Sequence, residues 1–122
     1  MTHKQIATEF LKAAASGNVD EAYDKSVSAD FIHHNQYFAG DRASLLQAIK
    51  AAAVTSPNKA IDIKRAVEEG DIVMTHSRVV RSGNDPDVAV VHIFQFANDK
   101  IVELWDLGQL IDKDSPNKNG MF

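Results

Sequence analysis

From Thr2 to Val54 the apolar residues recur at helical intervals, and from Ala60 onward they alternate with polar ones as strands require. Ile6, Phe10, Ala13 and Ala14 form one stripe behind a Thr2-His3-Lys4-Gln5 capping box, and Gly17 ends that helix. Asn18-Val19-Asp20-Glu21 opens a short second helix, again with a capping box, that turns Ala22 and Tyr23 inward. A polar break at Ser28-Ala29-Asp30 leads to Phe31-Ile32-His33-His34-Asn35, a short extended segment. Gly40-Asp41 then begins a third helix reaching about Val54, with Leu45, Leu46, Ile49, Ala52 and Ala53 as its stripe, and Ser56-Pro57-Asn58 stops it.

Beyond that point Ala60–Ala66 alternates Ile61 and Ile63 against Asp62 and Lys64, Glu69-Gly70-Asp71 makes a turn, and Ile72–Arg81 forms the next strand. A polar loop from Ser82 to Asp87 separates it from two long strands within Val88–Gln109. Helices followed by a meander of strands predict an α+β fold, with three N-terminal helices packed on the concave face of a curved, mainly antiparallel sheet. Such a sheet capped by helices leaves a cavity suited to a small molecule.

His92 and Asp106 stand out in the last two strands, where an ordinary apolar sheet would carry neither. A two-residue loop at Asn98-Asp99 would put them on opposite faces, whereas a three-residue loop through Lys100 sets them directly across from one another. The second register also pairs Gln95 with Glu103 and Phe94 with Leu104, and it is preferred for that reason. If Ser82 pairs with Pro86 across the preceding hairpin, His76 falls opposite His92. His76, His92 and Asp106 then make a row, adjacent members about 5 Å apart.

Proton transfer is the chemistry such a row supports. A carboxylate among Leu104, Val102 and Phe94 is shielded from water and can accept and return a proton, while an imidazole orients it or donates to a developing oxyanion. Asp106, His76 and His92 are therefore the expected catalytic residues. His34, Asn35, Tyr37, Arg78, Phe94 and Leu104 are the expected substrate-binding set, with Tyr23 as a further donor. Arg78 could equally neutralise Asp106 or turn outward. His34, His76, His92 and Asp106 are metal-ligand types, but no compact ligand spacing joins them, so neither a metal nor a cofactor is expected. A single histidine on a sheet face is usually structural, which is the bland reading for His3 and His33. Trp105 faces outward with Ile93 and Leu107, where core or dimer contact outweighs substrate stacking.

Composition narrows the partners. With 122 residues, 44% of them hydrophobic and 25% charged, the chain suits one domain spanning 1–122, whose Asp112–Phe122 end is a polar tail. A formal net charge of −4 argues against a nucleic-acid partner. The absence of cysteine excludes disulfides and thiolate chemistry. No signal peptide and no membrane-length apolar run is visible, so the expected location is cytoplasmic.

The chain resembles the nuclear-transport-factor-2-like superfamily, and within it the SnoaL-like polyketide cyclases. The resemblance rests on Phe31–Asn35 followed by Gly40, on Glu69-Gly70-Asp71 leading to His76, on Asp99–Asp106, and on the closing Asn119-Gly120-Met121-Phe122. It implies a cone of helices wrapped by a strongly bent sheet around a deep pocket, often in a dimer. It also implies that Asp106 matches the cyclases' acid/base in an intramolecular aldol condensation, and that His34 and His76 match pocket positions. The pattern departs at Leu104, where a histidine is common, and at His92 and Gln95, where an aspartate and an arginine are common. The expected partners are a small apolar or aromatic molecule and a second copy of the chain, docked through the outer sheet face. The runner-up readings are a non-catalytic binding protein and a dimeric adaptor.

Overall fold

The computed structural model describes residues 1–122. Helix α1, His3–Ala15, starts on the expected capping box: the Gln5 amide donates to Thr2 Oγ1 at 3.1 Å, and the Thr2 amide donates to Gln5 Oε1 at 2.8 Å. It buries Ala7, Phe10, Leu11 and Ala14. Helix α2, Val19–Ser26, buries Val19, Ala22 and Tyr23 as its pattern requires, but the Asn18 side chain makes no cap, so the second capping box does not form. Helix α3, Arg42–Thr55, is capped by Asp41, whose carboxylate accepts from the Ser44 amide at 3.1 Å and the Ser44 hydroxyl at 2.6 Å.

Five strands, not four, make the sheet. They are β1 (Val27–His33), β2 (Ala60–Glu69), β3 (Ile72–Val80), β4 (Val88–Ala97) and β5 (Lys100–Leu110), in the order β1-β5-β4-β3-β2. The meander β2–β5 is antiparallel throughout, and β1 joins it parallel to β5. The Ser28-Ala29-Asp30 break is part of β1: pairing with β5 holds at Val27, shifts register, and resumes at Ile32 and His33. Strand β1 covers only the first half of β5, so the chain from His34 to Gly40 closes over the edge left beside Asp106.

The core lies between α1, α2 and the inner sheet face, where Phe10, Tyr23 and Phe94 meet in tilted and edge-on contacts at 5.6 and 6.3 Å. Phe94 is fully buried there. No helix is long and apolar enough to cross a membrane.

Candidate functional site

The β4–β5 hairpin decides where Asp106 points, and it does so by a route other than the expected one. Its loop has two residues, with Ala97 paired to Lys100 and both Asn98 and Asp99 in the left-handed region at φ 50° and 61°. Asn and Asp tolerate that region, so the tight turn forms without glycine. Taken alone, that loop would separate His92 from Asp106. A β-bulge corrects it: Phe96 pairs with Ile101 and Gln95 with Glu103, leaving Val102 as the extra residue. Beyond the bulge Phe94 pairs with Leu104, and His92 stands opposite Asp106.

The β3–β4 register falls one residue from the expected one. Thr75, not His76, is opposite His92, and Val79 pairs with Val88. A one-residue slip exchanges the faces. Thr75 and Ser77 are buried on the inner face, while His76 and Arg78 project outward. Arg65 donates to Nδ1 of His76, whose ring lies 5.1 Å from that of Phe122. Arg78 pairs with Asp87 at 2.8 Å, so it neither neutralises Asp106 nor faces the cavity. The row across the three strands is thus Thr75–His92–Asp106, and His76, expected in it, stands opposite Val91 on the other face.

Between α1, α3 and the inner sheet face lies a chamber of about 240 Å³. Its walls include Phe10, Leu11, Phe38, Leu45 and Ile49, and twelve of its sixteen lining residues are hydrophobic; Asn35, Lys59, His92 and Asp106 supply the polarity. Of the half-buried α3 stripe, Ile49 and Ala52 line this chamber, and Ile49 also packs against the core. Of the expected substrate-binding residues, Asn35 and Leu104 line this chamber. Phe94 sits beneath it in the core, its ring stacked 5.9 Å from that of His92.

His34 and Tyr37 face a second depression, a groove of about 1050 Å³ over the outer sheet face that His76, Leu107, Leu110 and Met121 also line. Asp106 borders both spaces. The groove is wet, since Tyr37, Leu107 and Leu110 are each more than half exposed. The chamber is therefore where the Asp106 carboxylate borders mostly apolar walls. His34 stacks on Trp105 at 4.8 Å and bonds Glu103 at 2.6 Å, which fixes it outside the chamber.

Asp106 is held from one side only. Asn35 Nδ2 donates to its Oδ2 at 3.0 Å, and no protein group donates to Oδ1. The Asn35 side chain is itself oriented, because its Oδ1 accepts from the Tyr37 amide at 2.9 Å. His33 fixes the same loop: its Nδ1 accepts from the Asn35 amide at 3.1 Å, so the proton sits on Nε2 and goes to the Ala39 carbonyl at 2.7 Å. His33 is structural, and so is His3, which stacks on Phe96 at 4.4 Å and bonds Asp99.

His92 is neutral at physiological pH. Burial lowers its pKa to about 4, against the opposing pull of the Asp106 charge. Its Nδ1 is buried without a partner, and the ring edges the chamber. Tyr23 is also buried with an unpartnered hydroxyl; burial drives its pKa upward, the Arg42 guanidinium 5.2 Å from its ring opposes, and the Asp106 charge adds to the rise. No group of three or more potential ligand side chains gathers to hold a metal ion.

Sequence reasoning missed Lys59, Phe38 and Thr75 in and around this chamber. Thr75 was within reach of a correct loop register; Lys59, in a loop, carried no periodic signal.

Helices packed on one face of a five-stranded sheet, with a mostly apolar chamber between them, define a protein of the α+β class. The chain belongs to the SnoaL-like domain family, whose model matches residues 7–104. Among solved structures it is similar to AclR of Streptomyces galilaeus, a candidate hydroxylase, with 18% identity and a TM-score of 0.77 over 88% of this chain and 79% of that one. It is also similar to IdmH of Streptomyces antibioticus, a candidate polyketide cyclase, with 15% identity and a TM-score of 0.75 over 89% and 93%. A third, TsrD of Streptomyces laurentii, is 18% identical with a TM-score of 0.72 over 86% of each chain. At these identities the likeness is one of fold. Among curated proteins none matches.

Proposed function

We propose that the chain is a small-molecule enzyme of the lyase or isomerase type, moving a proton on a carbonyl substrate whose apolar or aromatic body fills the chamber. The observation that carries this reading is the pairing of Asp106 with His92 across β4 and β5, at the polar end of an otherwise apolar space. Asp106 Oδ1, free of protein donors, removes a proton from the carbon next to the carbonyl. The electron pair moves to the carbonyl oxygen, and the neutral imidazole of His92 donates a hydrogen bond to the enolate so formed. The enolate carbon then attacks a second carbonyl, as in an aldol closure, or, in an unsaturated substrate, the conjugated enolate takes the proton back at a more distant carbon. Asp106 returns that proton in both cases.

Asn35 positions the base. General acid–base help of this kind contributes about 10²–10⁴ in rate. Replacement of Asp106 by asparagine tests the reading: exchange of ketone α-protons with D₂O should fall by about that factor, with melting temperature and ketone affinity retained. Unchanged exchange refutes it, and altered affinity with no exchange in either protein favours a binding role.

A dimer through the outer sheet face goes with this reading. Leu107 is 64% exposed there, and Met74 and Val80 on β3 project to the same side.

A further inference from the structure

The chamber does not end at His92. A second space of about 280 Å³ adjoins it and shares Ala52, Lys59, Val79 and His92 with it. Arg81 enters from the β3–β4 loop, so two cations face one small volume. Neither forms an ion pair: Asp85 lines the same space, yet its carboxylate is not within 4.0 Å of either.

The frame around them is fixed. Ser56, buried at the end of α3, bonds Ser82 through both hydroxyls at 3.0 Å and accepts from the Ser82 amide at 3.1 Å. Arg81 is aimed by its Nε, which donates to the Pro86 carbonyl at 2.8 Å, and its backbone amide, which donates to Asp87 at 3.2 Å. Its two terminal amino groups bond to nothing in the protein. Two like charges half-buried together repel and lose hydration. Burial first, and the Arg81 charge second, hold the Lys59 ammonium below its usual pKa. A lysine that served only the dipole of α3 would gain nothing from standing beside Arg81.

An anion placed between them removes both costs. The planar fork of an arginine pairs with a carboxylate through parallel hydrogen bonds, and lysine adds a point charge. The shared wall puts that anion on the far side of His92 from Asp106's apolar surroundings. Together the two spaces reach the ~300–1,000 Å³ usual for small-ligand sites, which the chamber alone does not.

We propose that the ligand of this protein is an apolar or aromatic carboxylic acid, its carboxylate held between Lys59 and Arg81 and its body in the chamber beside Asp106. The inference rests on the chamber being the ligand site argued above. Isothermal titration with 2-naphthoate and with the neutral isostere 2-naphthamide tests it. The intact chain should bind 2-naphthoate at least ten-fold more tightly, and only that binding should weaken with added salt. In Lys59→Gln and Arg81→Gln each, the preference should fall several-fold, and in the double variant the two ligands should bind within about two-fold. Equal binding by the intact chain overturns the carboxylate assignment and leaves the chamber standing. A preference that survives in the double variant overturns it too. Failure of both ligands to bind overturns the chamber along with it. Arg81→Lys, which keeps the charge but not the fork, should show a preference between those of the intact chain and of Arg81→Gln, and so separates charge loss from loop damage.

Discussion

Asn35 donates its side-chain amide to one oxygen of Asp106 at 3.0 Å, across 71 positions of sequence, and leaves the other oxygen free. The tie selects which lone pairs of the carboxylate face the chamber. Hydrogen bonds to charged groups contribute about 1.5–3 kcal/mol. Asn35→Ala should therefore slow proton transfer by about ten-fold or more through misplacement of the base, with a smaller loss of affinity. A kcat that falls while KM holds, in ketone proton exchange, is the expected signature.

The buried imidazole makes stability depend on pH. Folded His92 titrates at about 4, whereas an unfolded histidine titrates at its ordinary 6.5. Between those values the unfolded chain binds a proton that the folded chain refuses, so acid favours unfolding. The contribution is whole above pH 6.5 and is lost as pH falls toward 4. Thermal melting between pH 7.5 and 4.5 should show a falling Tm, and His92→Gln should flatten that fall. Asp87 acts in a lower window. Its hydrogen bond from Arg78, then that from the Arg81 amide, lowers its pKa, so its contribution is present above the ordinary carboxylate pKa and disappears at greater acidity.

The hairpin turn carries its own test. Asn98 and Asp99 both sit at positive φ, where a β-branched residue is strained. Asn98→Val should cost about 1–2 kcal/mol in denaturant unfolding without touching the chamber.

The same hairpin shows what a sequence can and cannot tell. The pairing of His92 with Asp106 was legible, because only that register keeps Phe94 against Leu104 and Gln95 against Glu103. The path to it was not: a two-residue turn plus a bulge at Val102 and a three-residue turn give the same downstream register. The helices were legible from capping and stripe, as at Thr2 and Phe10. His76 was misplaced because the long Ser82–Asp87 loop leaves the register free by one residue, and one residue exchanges faces. Of strand β1 only Phe31–His33 was read as extended and Ser28–Asp30 as a break, since its partner lies some seventy residues away at Ile101–Leu104 and Ser28-Ala29-Asp30 is out of register there. Lys59 and Arg81 meet only through tertiary folding, and no local pattern joins them.

The outer face predicts association. Leu107, Met74 and Val80 are exposed on that face, and burial of such side chains contributes about 1.5–3 kcal/mol each. Sedimentation velocity should show a dimer, and Leu107→Glu should shift it toward monomer while ketone binding persists.

Which of the two hollows bordering Asp106 holds the ligand is best decided by isotope-edited nuclear Overhauser contacts from bound 2-tetralone. Contacts to the methyls of Ala14, Leu45, Ile49 and Ala52 and to the His92 ring are predicted, because these line the inner chamber. Contacts instead to Leu107, Leu110 and Met121 would put the ligand in the outer groove and contradict the assignment of Asp106 and His92 as a shielded proton-transfer pair.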